Sequence, residues 1–391
     1  MSALSAFTPS ESTTSRRAFL AGISGAAACY GCAYTRSPEG AVARTLSKTE
    51  LVIDEAVSAG GRGQIFVWRD GTTLLDRGFG KGMSADALVP WASACKPTTV
   101  AAVLRLIEAA EVELDDRVTR FIPTFGRNGK ADVTIRQLMT HTAALGGYAG
   151  PLDLPSWEET IERISAARRT GGRNQALPPA LSENRPAYNP AGLWILGEVL
   201  RIVHQRPFAD VIRSELFLPL DMKDSWNGLP PDRYHAYGGR IVRGGFRGGS
   251  VGSDEVEEKS AQPPPTNPAG GAVGPVRELA SFYQMALDGG TWRGRRILTD
   301  ATLRNATRLQ ASDGGTWTFG LGFIINARPT RQLNDAQERL RFGRRPSADA
   351  FGHNGATGTV AFADPQARLV VAMIGLPLSA SDAIYDDLEL A

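Results

Sequence analysis

Residues 93 to 97 read Ser93-Ala94-Cys95-Lys96-Pro97, and an apolar run follows in which Val100, Val103, Leu104 and Ile107 recur at helical spacing. Side chains three residues apart share one face of a helix, so the Ser93 hydroxyl and the Lys96 amine come within reach of each other. Pro97 suits a first turn, where backbone N–H groups have no intrahelical acceptor. The spacing therefore predicts a helix with Ser93 at its N-terminus. The positive end of that helix favours an ionised Ser93 oxygen and the negative charge that develops on an attacked carbonyl. Ser-x-x-Lys alone is a common pattern, and its weight comes from context.

Two further clusters supply that context. Tyr188-Asn189-Pro190 stands before a second amphipathic run, Leu193, Leu196, Leu200 and Val203. His353-Asn354-Gly355 precedes Ala356-Thr357-Gly358-Thr359-Val360, which reads as a strand. Between and around them lie Leu114-Asp115-Asp116-Arg117-Val118, Val133 to Leu138 with His141-Thr142, Leu218 to Met222, and Gly271-Ala272-Val273-Gly274. In this order the segments resemble the serine hydrolases of the class C β-lactamase and penicillin-binding superfamily, with its family VIII-type carboxylesterases. The resemblance runs from about Asp54 to Met373.

The resemblance implies acyl transfer through a covalent intermediate. Ser93 would be the nucleophile, Lys96 and Tyr188 would share its proton, and the backbone N–H groups of Ser93 and Ala356 would form the oxyanion hole. His353, Gly355 and Asn189 fall at substrate-binding positions. His353 stands where many β-lactamases have lysine, and histidine is less reliably cationic at neutral pH, which favours substrates without an obligatory carboxylate. One departure is Pro190, at the place of the family's usual asparagine. Asn189 itself reads as a helix N-cap, with Pro190 as the first helical residue. Loss of that amide makes esters better substrates than peptides or β-lactams. The expected activity is a serine carboxylesterase acting on small or medium acyl esters. The alternatives on the same site are an acyltransferase, a D-amino-acid peptidase or amidase, and a penicillin-binding module that acylates without turnover.

Gly248-Gly249-Ser250-Val251-Gly252 matches the nucleophile-elbow pattern, which needs a buried strand before the serine and a helix after it. The glycine- and arginine-rich run before it and the acidic, proline-rich run after it predict a loop instead. His141, His204, His235 and His353 have no metal-ligand spacing, and no metal or other cofactor is expected. Cys95 turns away from Ser93 and Lys96 and reads as a small buried residue. Trp91 reads either as pocket lining or as core.

The chain has 391 residues and is 42% hydrophobic, enough for a large core, and its net charge of +2 gives no reason to invoke nucleic acid or a membrane surface. Ser15-Arg16-Arg17-Ala18-Phe19-Leu20 ahead of an alanine- and glycine-rich run predicts a twin-arginine export signal over 1–43, with cleavage near Ala41-Val42-Ala43 or lipidation at Cys29 or Cys32. The mature protein would be periplasmic or extracellular, with a small-molecule ester or amide as its partner. Its fold class is α/β (α+β). Segments 44–96 and 265–391 would form an antiparallel sheet flanked by terminal helices, and 97–264 a mostly helical domain with a loop-rich stretch from Gly228 to Gly271. Gly63 to Trp68 and Thr72 to Phe79 form a hairpin about Asp70-Gly71, Val276 to Leu287 a helix, Thr357 to Ala363 and Leu369 to Ile374 a second hairpin, and Ala380 to Leu390 a final helix.

Overall fold

Asp70 and Gly71 both adopt positive φ, 47° and 85°, the backbone of a two-residue turn whose twist matches that of paired strands. The hairpin they close is one edge of the main sheet. The computed structural model describes residues 46–145, 156–169, 185–242, 246–247, 250–251, 263–329, 332, 334 and 341–390. The strands of the main sheet are β1 (Gly63–Arg69), β2 (Thr72–Phe79), β3 (Ala311–Ser312), β4 (Thr318–Phe319), β5 (Ile324–Ile325), β6 (Phe351–Asn354), β7 (Val360–Asp364) and β8 (Leu369–Ile374). They lie in the order β3-β4-β5-β6-β7-β8-β1-β2, every pair antiparallel. The helices are α1 (Ser47–Ser58), α2 (Lys96–Glu108), α3 (Ile135–Met139), α4 (Trp157–Ala166), α5 (Ala191–His204), α6 (Phe208–Ile212), α7 (Pro231–Tyr237), α8 (Val276–Leu287), α9 (Asp300–Thr307) and α10 (Ser379–Asp387).

Both faces of the sheet are covered, so its central strands read as unbroken apolar runs rather than as alternation. All six residues of β8, Leu-Val-Val-Ala-Met-Ile, are buried. Ile65 and Val67 of β1, with Leu369, Val371 and Met373 of β8, pack on one side against Ile53 of α1 and Ile384 and Tyr385 of α10. Phe66 and Trp68, with Val370, Ala372 and Ile374, pack on the other against Leu279, Phe282 and Met285 of α8. That second core continues without a break into Val100, Val103 and Leu104 of α2 and Leu196, Val199 and Leu200 of α5. α2 is the buried axis of the helical layer: from Lys96 to Leu104 every residue is buried. Residues Arg44 to Ala391 form a compact unit of their own. No helix of the described residues is long and apolar enough to cross a membrane.

Several expected boundaries shift. Ala356 to Thr359 form a turn, not the start of a strand; β7 begins at Val360, and His353 and Asn354 belong to β6, facing Ala361 and Val360. The turn closes because Gly355 N–H donates to Thr359 O at 2.7 Å and Gly358 takes φ 84°. The final helix ends at Asp387, where Glu389 turns left-handed and Leu390 N–H reaches back to Tyr385 O at 2.9 Å. α7 interrupts the expected loop, because Pro231 fits a first helical turn. The leader with Cys29 and Cys32, and Gly248, Gly249 and Gly252 of the serine decoy, lie outside the described residues.

Candidate active site

Ser93 lies in a short 3-10 helix, Ala92–Cys95, that runs directly into α2. Ala92, just before it, has φ 46°, a left-handed conformation that costs a non-glycine residue free energy and persists only where the surroundings impose it. Those surroundings are visible. Val89–Pro90 pairs with Ala272–Gly274, Trp91 N–H donates to Ala272 O at 2.9 Å, and the Trp91 indole donates to Gly274 O at 2.9 Å. Trp91 is fully buried and meets Phe217 edge-on, so it is core rather than pocket lining.

Lys96 occupies the first turn of α2 and is 1% exposed. Its Nζ lies 2.6 Å from Ser93 Oγ and 2.6 Å from Ala269 O. Among the described residues no carboxylate forms an ion pair with it, so a hydroxyl and a carbonyl dipole are what offset its burial. Cys95 faces the other way and is fully buried, and desolvation raises its thiol pKa, so it stays protonated.

Tyr188 arrives from the irregular segment that leads into α5, and the Lys96 Nζ stands 5.2 Å from its ring centroid. The segment is fastened to His141: Ala187 N–H donates to His141 O at 2.8 Å, and His141 Nδ1 lies 3.1 Å from Asn189 O. Asn189 spends its side chain on the fold. Its Oδ1 accepts from Ala191 N–H at 2.7 Å and its Nδ2 donates to Leu145 O at 2.9 Å. The capping reading therefore fits the geometry, with Pro190 as the boundary residue and α5 starting one position later.

The β6–β7 turn is pressed against the nucleophile segment. Thr357 and Thr359 both donate to Pro90 O, at 2.9 and 3.0 Å. A Cβ on Gly355 would overlap the Trp91 carbonyl oxygen, so only glycine permits this approach. Ala356 follows directly, and no turn or loop carbonyl of the described residues accepts from the N–H of Ser93 or Ala356. His353 is 2% exposed; its Nδ1 lies 2.7 Å from Asn354 O, which fixes Nδ1 as the protonated nitrogen. Burial first, then the Lys96 charge, hold its pKa well below the ordinary histidine range. The same two causes push His141 down to about 3, so both imidazoles are neutral.

A family model described as Beta-lactamase matches residues 53–375. The chain belongs to the beta-lactamase family. Within that family it is similar to the protein named esterase/beta-lactamase LipL of Mycobacterium tuberculosis, 24% identical over 356 residues, which cover 80% of this chain and 76% of that one. Among solved structures it is similar to a penicillin-binding protein homolog from Caulobacter crescentus, with TM-score 0.67 and 22% identity over 88% of this chain and 97% of that one. A family VIII carboxylesterase structure gives TM-score 0.66 and 21% identity, covering 88% and 97%. These likenesses establish the beta-lactamase fold.

The sequence reading missed three neighbours of the site. Ala269 O, the second partner of Lys96, is a backbone atom next to the Gly271-Ala272-Val273-Gly274 landmark. Trp317 and Phe319 lie parallel to the Tyr188 ring, with centroids 4.6 and 6.1 Å away and planes within 8° and 9°. Their signal was the alternation Trp317-Thr318-Phe319, two aromatics two residues apart where a loop enters β4.

Proposed function

We propose that this protein is a serine carboxylesterase working through an acyl-enzyme on Ser93. The observation that carries the reading is the 2.6 Å contact between Lys96 Nζ and Ser93 Oγ at a helix start, with the Tyr188 ring 5.2 Å from the same amine. Ser93 Oγ attacks the ester carbonyl carbon, and its proton passes to the Lys96–Tyr188 pair. The carbonyl oxygen becomes an oxyanion facing the N–H groups of Ser93 and Ala356. The C–O bond to the alcohol then breaks, and the pair returns the proton to the leaving oxygen. Water attacks the acyl-enzyme by the same route in reverse, releasing the acid and restoring the serine.

Three observations support esters over charged or peptide substrates. His353 is neutral where a lysine would hold a carboxylate. The Asn189 amide is engaged by Leu145 O and Ala191 N–H. The relative LipL is named an esterase as well as a beta-lactamase. The reading extends to location: the Arg16-Arg17 leader directs export, so the site works outside the cytoplasm. The test is turnover of a chromogenic ester without added acceptor, combined with fluorophosphonate labelling and peptide mapping. Label on the Ser93 peptide, and turnover lost in Ser93→Ala but kept in Ser250→Ala, is the expected outcome. Label on another serine, or turnover that needs an added alcohol or amine, overturns it.

A further inference from the structure

We infer that Trp317 is a positioning residue for the Tyr188 phenol, an inference that rests on the proposed function above. Tyr188 belongs to a stretch, residues 185–189, without regular secondary structure, so no helix or sheet ladder sets the direction of its ring. The backbone ties of Ala187 and Asn189 to His141 fix where the segment passes, yet they leave χ1 and χ2 of Tyr188 free. What remains to hold the ring is packing. Trp317 lies 4.6 Å from it at 8°, the closest and most nearly parallel of its aromatic neighbours, while His141 at 4.8 Å and His353 at 6.1 Å meet it tilted by 46° and 43°. Trp317 and Phe319 are themselves near-parallel, 5.5 Å apart at 12°, so the three rings form one near-parallel aromatic group.

Trp317 and Phe319 are each fixed by surroundings of their own. Phe319 is in β4 and fully buried. Trp317 is half-buried, and its loop is cinched by the Asp313 carboxylate, which accepts from Gly315 N–H at 2.8 Å and Trp317 N–H at 2.9 Å. Asp313 N–H donates back to Trp317 O at 3.0 Å, Gly314 N–H donates to Ser312 Oγ at 2.9 Å, and Arg341 donates to Gly315 O at 3.1 Å. A loop fastened at this many points does not need a tryptophan to hold its own shape. The large ring instead stacks on a phenol that stands beside Lys96, itself bonded to Ser93. Stacked aromatic pairs resist tilting, and a catalytic group displaced by about 1 Å loses up to about 100-fold in rate.

The test compares Trp317→Leu, which keeps an apolar side chain without the flat plate, with Trp317→Phe, which restores a plate. Fluorophosphonate endpoint labelling counts intact sites, and kcat and KM are expressed per labelled site, so a loss of folded protein is separated from a loss of rate. The expected result for W317L is a fall in kcat of about tenfold or more with KM within about twofold, and W317F recovering most of it. Asp313→Ala, which loosens the loop without touching the stack, is expected to lower kcat in the same way, and it stands in if W317L yields too few sites. The inference is overturned if kcat per site is unchanged in W317L, or in D313A where W317L yields too few sites, if the loss falls on KM alone, or if W317F is as slow as W317L. Label away from Ser93 in the unmodified protein would sink the functional reading instead. Label on Ser93 with an unaffected W317L sinks this inference alone.

Discussion

His141 and His353 are buried side chains whose neutrality is imposed by desolvation and by Lys96. The unfolded chain takes up protons on both near pH 6.5, while the folded protein resists. Their contribution to stability is therefore complete above about pH 6.5 and falls as the pH drops below it, by up to about 1.4 kcal/mol per pH unit for each. The loss levels off only at the folded-state value, about 3 for His141. Thermal midpoints measured from pH 7.5 to 4.5 should fall, and His353→Gln should reduce the slope; an unchanged slope would mean that imidazole titrates normally. At the nucleophile, Ser93→Ala should lower kcat by about 10,000-fold or more. Lys96→Arg should not rescue activity, because a guanidinium cannot release a proton; an arginine variant with more than a tenth of the original kcat contradicts the role given to Lys96. The Ser93–Lys96 contact was legible because three-residue spacing on a helix is local geometry.

Among the elements, two glycines separate shape from approach. Gly71 closes the β1–β2 turn at φ 85° with open space where a Cβ would stand, so Gly71→Ala should cost about 1 kcal/mol through backbone strain alone and leave kcat intact. Gly355→Ala has no such room. Its methyl would drive the β6–β7 turn away from Trp91, and with it the Ala356 N–H, so kcat should fall about 100-fold or more while the protein stays folded. Denaturant melts and kcat for the two variants check both statements. The β1–β2 hairpin and α8 were readable from turn chemistry and periodicity. The strands β3, β4 and β5 were not, because segments of two residues carry no period and exist through their neighbours in the sheet. α7 was hidden by the prolines on either side of its start.

For the whole molecule, the two ends of the described chain are joined. α1 has no side-chain cap of its own; Asp387, at the end of α10, accepts from Lys48 N–H at 2.9 Å and from Thr49 N–H and Oγ1 at 2.8 Å. Asp387→Ala should cost about 1–2 kcal/mol and lower the melting temperature without changing KM, since the contact lies among the terminal helices on the sheet; an unaffected melt would show the cap to be dispensable. This long-range cap has no sequence signal, being a contact between residues 338 apart. By itself the sequence determined the hydroxyl–amine pair, the order of the landmarks and the apolar strands, because each depends on neighbours within a few residues. Only the tertiary structure decided that Ala269 O shares the Lys96 amine, that the Asn189 amide also reaches Leu145 O, and that Trp317 lies flat against Tyr188. Those depend on where distant segments meet, and packing across the whole core sets that.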